Sequence, residues 1–162
     1  VRRLAAGIAG ALVLGPSALA APPADVPELV VWARQHLTGV DDWPLLSFTS
    51  QGITLASPKG ATLRPDGLVE GELRQEFFEP VELDGRIMRS AASRWRVDCA
   101  GQRFAVLQIT LYARNDLKDR LGERKSDKPP WLARDAMSGD AIDAMCEAVQ
   151  TGERLDAPKS QD

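Results

Sequence analysis

The spacing of apolar and polar positions divides the chain after residue 25 into a helical zone, a long alternating stretch and a second helical zone. Val26, Leu29, Val30, Ala33 and Leu37 recur at the spacing of one helix face. Asp25 stands where an N-cap would, Pro27 falls in the first turn, Glu28 can reach back as in a capping box, and Thr38-Gly39 ends the run. Trp32 and His36 lie one turn apart on the flank of that stripe. Near the other end, residues 138–149 predict a second helix. Ser138 can cap it, Asp140 sits favourably in its first turn, and Gly152 can end it. Ile142, Met145, Cys146 and Val149 share one face of that helix.

Between the helices the period falls to two. Residues 44–50 and 53–57 are candidate strands around Gln51-Gly52, and Pro58-Lys59-Gly60 and Pro65-Asp66-Gly67 read as turns. Residues 68–78 alternate, with Glu70, Glu72, Arg74 and Glu76 on one face and Val69, Gly71, Leu73, Gln75 and Phe77 on the other. Residues 94–99 set Arg94, Arg96 and Asp98 against Trp95, Val97 and Cys99 in the same way. If the two apolar faces coincide in one antiparallel hairpin, a register with Glu72 opposite Arg94, Glu70 opposite Arg96 and Trp95 over Gly71 aligns opposite charges on the solvent side. Residues 104–113 form the strongest strand, central and covered on both sides, with Ala105, Leu107, Ile109 and Leu111 on one face and Phe104, Val106 and Tyr112 on the other. Residues 114–128 are dense in charge and predict an exposed loop with one short edge strand near 120–124, before the extended Pro129-Pro130-Trp131 link. The sum is an α+β domain: a small antiparallel sheet of about five or six strands packed by an N-terminal and a C-terminal helix.

Composition narrows the class. A chain of 162 residues, 44% hydrophobic, with 20 Lys+Arg against 23 Asp+Glu, fits one globular domain. Its mild acidity speaks against a nucleic-acid partner. Arg2-Arg3, the uncharged run at 4–14, Pro16 and the small-residue pattern Ala18-Leu19-Ala20 have the layout of a secretory signal peptide cut after Ala20. The expected division is therefore a signal peptide at 1–20, one domain at 21–150 and a polar, disordered tail at 151–162. No Cys lies near the cut, so no lipid anchor is expected, and no later segment is apolar and long enough to cross a bilayer as a helix. The mature product is expected to be soluble and exported, to the periplasm or beyond the cell. Export into an oxidising compartment makes Cys99 and Cys146 an expected disulfide, closing a loop of about 48 residues and contributing roughly 4 kcal/mol in the chain-entropy account.

Candidate chemistry is sparse. His36 is the single histidine and lacks the partners of a zinc site, so it reads as a packed or capping residue, and no metal or other cofactor is expected. No nucleophile-elbow, zincin, phosphate-loop or dinucleotide-binding motif is present, so no catalytic residue is nominated and the chain reads as a non-enzyme. The acidic run Glu70, Glu72, Glu76, Glu79 and Glu82 reads as a solvated face rather than as a glycosidase or calcium site. Arg86, Arg89, Arg94 and Arg96, with Trp95 among them, form the densest basic stretch and the one candidate partner-binding patch, presented with the help of a loop over 79–88. Cross-strand pairing of those arginines is the simpler alternative.

Residues 43–146 also carry a resemblance. Glu76-Phe77-Phe78-Glu79-Pro80, Arg89-Ser90, Val97-Asp98-Cys99, Tyr112, Asn115-Asp116-Leu117, Trp131, Ser138 and Cys146 follow in the order and spacing of the surface-adhesin protein E family of exported bacterial proteins. That resemblance implies a small antiparallel sheet with helical packing, a Cys–Cys bridge, and binding to a host matrix or envelope protein. The alternative is a periplasmic protein with a structural or stress-related envelope role and no adhesion.

Overall fold

The computed structural model describes residues 21–135 and 138–151, so the expected signal peptide and the tail from residue 152 lie outside the described residues. In chain order the elements are α1 (Val26–His36), β1 (Leu45–Phe48), β2 (Gly52–Leu63), β3 (Val69–Leu83), β4 (Arg86–Asp98), β5 (Arg103–Arg114), β6 (Lys118–Lys125), β7 (Leu132–Ala133) and α2 (Gly139–Thr151). Strands β1 to β6 lie side by side in chain order as an antiparallel meander, and β7 joins β5 beyond the end of β6. The α+β class stands. Among the described residues the sheet has seven strands rather than five or six, because β7 forms just beyond the expected Pro129-Pro130-Trp131 link.

The β3–β4 register is the one the charge pattern predicts. Glu72 faces Arg94, Glu70 faces Arg96 and Gly71 faces Trp95. The hairpin runs much further than the alternation of residues 68–78 indicates. The expected loop over 79–88 is strand on both sides of a two-residue turn at Asp84-Gly85, whose φ values of 52° and 71° match the left-handed pair that suits a right-twisted hairpin. A register shift between Glu76 and Val81 absorbs Pro80, which donates no ladder hydrogen bond. The Pro58-Lys59-Gly60 triplet, expected as a turn, lies inside β2 within a second irregularity between Ala56 and Ala61. At Gly52 the sheet is close enough that an added Cβ would lie 2.1 Å from the Glu76 carbonyl oxygen, so only glycine fits.

Helix α2 covers one face of the sheet. Ile142, Met145, Cys146 and Ala141 pack on Val69, Leu73, Trp95, Val97 and Phe104, where Trp95 stacks on Phe104 with ring centroids 4.2 Å apart. The disulfide between Cys99 and Cys146 ties the helix to the end of β4. Arg134 holds the first turns through both carboxylate oxygens of Asp143, at 2.5 and 2.7 Å. Helix α1 covers part of the opposite face, setting Leu29, Trp32 and Leu37 on Ile53, Leu55 and Phe78. Its start is as expected, since the Asp25 carboxylate accepts a 2.9 Å hydrogen bond from the Glu28 amide.

Buried residues lie on both faces of β5, as expected for a central strand, but the expected assignment of its side chains to those faces is corrected. Val97, Trp95, Ser93 and Ala91 on one face of β4 oppose Phe104, Val106, Ile109 and Leu111 in turn, with a register shift between Arg94 and Trp95. The bulge switches parity between Val106 and Ile109, so Phe104 and Val106 share the α2 face with Ile109 and Leu111, while Ala105 opposes Arg96 on the other face.

Candidate functional site

The acidic run does not form a single solvated face. Arg74 and Glu76 are 4% and 0% exposed, enclosed where α1, β2 and the β5–β6 turn meet. Arg74 Nε donates to Glu76 Oε1 at 2.7 Å and its Nη2 donates to Asp116 Oδ1 at 2.9 Å. The second Glu76 oxygen accepts from Asn115 Nδ2 at 3.0 Å and the Asp116 amide at 3.1 Å. Asp116 also accepts from the Thr38 amide and hydroxyl, at 2.8 and 2.5 Å, and lies 3.0 Å from Lys118 Nζ. Two cations and two carboxylates are thus balanced, and the carboxylate oxygens are met by donors, as burial requires.

Burial raises the Glu76 carboxyl above its usual range, against the pull of Arg74 and Asn115. At Asp116 burial pushes the same way but is outweighed by the Thr38, Arg74 and Lys118 hydrogen bonds, which hold it well below the usual carboxylate range. The β5–β6 turn is strained to reach this place: Asp116 and Leu117 have φ of 67° and 52°. Ser90 adds support by donating to the Arg114 carbonyl at 2.8 Å and accepting from the Leu117 amide at 3.2 Å. Asn115 also reaches the Phe77 and Arg89 carbonyls, at 3.0 and 3.1 Å. Glu76, Arg89-Ser90 and Asn115-Asp116-Leu117, which are distant in sequence, therefore converge in one buried junction. Its geometry is that of a structural joint.

The five residues of the expected binding patch do not form one surface. Trp95 is 6% exposed and faces α2, so it cannot meet a partner. Arg94 and Arg96 lie on the opposite face, where Arg96 holds Glu70 at 2.7 Å and Arg94 stays exposed. Arg89 donates to the Phe78 carbonyl at 3.0 Å. Arg86 stands apart at the hairpin end and donates to the Leu121 carbonyl at 3.0 Å. Strand alternation accounts for the split, because neighbours in sequence alternate between faces.

Arg86 belongs instead to a groove that the patch reading missed. Beyond the reach of α2, two adjoining hollows of about 290 and about 420 Å³ share Ile109 and Arg124. The larger has an apolar floor of Leu83, Val106 and Ile109 and a wall of Pro129, Pro130 and Leu132. Ile87, at 65% exposed, and Trp131 stand exposed beyond these linings. Arg124 pairs with Asp84, and Lys125 lies 2.8 Å from Glu123. The Asp84-Gly85 dipeptide flanked by Val81, Leu83 and Ile87 is a hairpin signal that could have located this end of the sheet.

Among the described residues no group of three His, Cys, Asp or Glu side chains is placed to hold a metal ion. His36 is exposed and stacks on Trp32 at 4.9 Å, packed as expected. No helix among the described residues is long and apolar enough to cross a membrane.

The chain resembles crystal form II of Haemophilus influenzae protein E at 13% identity, covering 83% of this chain and 98% of that one, with a TM-score of 0.47. A second structure of Haemophilus influenzae protein E matches at 12% identity over 82% of this chain and 93% of that one, TM-score 0.46. The crystal structure of protein E from non-typeable Haemophilus influenzae matches at 12% identity over 85% and 87%, TM-score 0.47. No curated protein matches the chain in sequence. The family model described as surface-adhesin protein E matches residues 59–147, from β2 to α2 and through both cysteines. The chain belongs to the surface-adhesin protein E family.

Proposed function

We propose that this is an exported, non-enzymatic binding protein that engages a host matrix or envelope protein at the hairpin end of its sheet. The observation that carries the reading is the groove floored by Leu83, Val106 and Ile109, left uncovered by α2. Exposed apolar side chains near such a groove are the usual mark of a protein-binding surface. Membership of an adhesin family supports the same kind of activity. Arg86 and Arg124, beside the groove, fit the polar rim of a protein interface.

The test is surface plasmon resonance of the oxidised domain over immobilised extracellular-matrix glycoproteins and over solubilised envelope proteins of the producing cell. Leu132→Asp changes an exposed side chain in the wall of the groove and should leave the melting temperature within a few degrees. Saturable binding that this variant weakens at least about tenfold, the scale of losing an apolar anchor, supports the groove. Equal binding by the folded variant, or no saturable binding to either set, overturns it.

A further inference from the structure

We propose that the open part of the α1 face is a separate saccharide-binding site, suited to a pyranose ring that carries a carboxylate. Where α1 stops, the sheet register lines up Glu72, Arg94 and Gln108 on three adjacent strands. The next row holds Arg74, Ala92 and Thr110, and the small side chain of Ala92 leaves a dip in the surface. A hollow of about 280 Å³ lies there, lined by all of these side chains except Arg74, and by the rings of Trp43 and Tyr112. That volume suits one or two sugar rings.

Thr110 in this hollow already reaches Glu123 at 3.5 Å, but among the described residues the side chains of Arg94, Gln108 and Tyr112 are free for a ligand. Glu72 lies within 3.8 Å of Lys59, and among the described residues Arg94 opposite it makes no ion pair, whereas Arg96 two residues on is committed to Glu70. Among the described residues Gln108 and Tyr112 make no side-chain hydrogen bond within the protein. A guanidinium fork, a primary amide and a phenol around a shallow dip can satisfy vicinal hydroxyls in several directions at once. Aromatic rings beside them offer an apolar surface to the C–H face of a sugar. Arg94 selects the carboxylate, because its planar fork donates to both carboxylate oxygens together. The hollow lies on the opposite face of the sheet from the groove proposed for a protein partner, so the two sites can be occupied independently.

The experiment is an amide chemical-shift titration of the isotopically labelled domain with glucuronate-terminated and sialate-terminated oligosaccharides, each beside its neutral parent. The expected result is saturable shifts at Glu72, Arg94, Gln108 and Tyr112 with at least one acidic sugar, and about tenfold weaker binding of the neutral parent, as for loss of one charge-assisted contact. Arg94→Gln should erase that preference, and Gln108→Ala should weaken both sugars, each without moving the melting temperature. Absence of saturable shifts with every sugar overturns the proposal. So do shifts that map elsewhere, or an acidic preference that survives in folded Arg94→Gln.

Discussion

Asp116 shows how one residue can hold distant parts of the fold. It receives the segment after α1 through Thr38, β3 through Arg74 and the start of β6 through Lys118, and its side chain is 4% exposed. Its carboxyl is depressed in the folded state, so it contributes stability that is fully present above its unfolded value of about 3.9 and is lost as pH falls. Glu76 acts in the opposite sense, because its raised value means the folded state holds the proton more tightly than the unfolded one. Its contribution therefore favours the fold at low pH and diminishes as pH rises through the folded value. Asp116→Asn should lower stability at pH 7 by about 3 kcal/mol, since Arg74 loses one of its two carboxylates in a buried place. It should also flatten the fall in melting temperature between about pH 5 and pH 2, the window of a depressed carboxylate. Thermal melts across that range check both, and a variant that melts like the parent at every pH would contradict the joint.

The same residue marks what sequence could not disclose. Alternation placed Glu76 with Glu70 and Glu72 on a polar face, and it does lie on that face. Period two says nothing of what covers a face, and here α1 and the β5–β6 turn close over its far end. Burial of a charged pair depends on a donor network assembled from four separate segments, which no local pattern encodes.

Among the elements, the β3–β4 hairpin was the most legible. Its charges and apolar residues agree on only one register, and Glu70–Arg96 forms as an ion pair of 2.7 Å. The β5 faces were misread because a bulge shifts parity without leaving a composition signal, and β7 because two residues of pairing lie below any periodicity. The disulfide was legible from compartment chemistry and an even cysteine count, and α2 presents Cys146 toward Cys99 as its apolar face requires. Cys146→Ser should destabilise the oxidised domain by about 2–4 kcal/mol, the usual contribution of a bridge across a loop of this size. The reading is the denaturation midpoint with and without reductant. The parent should fall toward the variant when reduced, and coincident midpoints for oxidised parent and variant would reject the contribution.

At the scale of the whole molecule, two helices cover opposite faces of one sheet and each leaves part of its face open. The residues that carry the family resemblance are largely spent on holding this arrangement: the Glu76–Asn115–Asp116 junction on one side and the Cys99–Cys146 bridge on the other. Apart from Tyr112 and Trp131, the exposed features that could meet a partner lie outside those motifs, at Ile87 and Leu132 and along the row from Glu72 to Gln108. The fold could thus be inferred from sequence more completely than the site. A patch defined by consecutive residues was divided between two faces, while the groove was assembled from β3, β5, β6 and the proline link.

The central claim is that this protein works outside the cytoplasm as a binding module. The most direct measurement is fractionation of cells expressing a C-terminally tagged chain, with mass spectrometry of the product and external protease added to intact cells. The account predicts a product lacking residues 1–20 and absent from the cytoplasmic fraction, with its tag removed by protease without lysis where the partner is a host matrix protein and protected in the periplasmic fraction where it is an envelope protein. An uncleaved chain retained in the cytoplasm would contradict it.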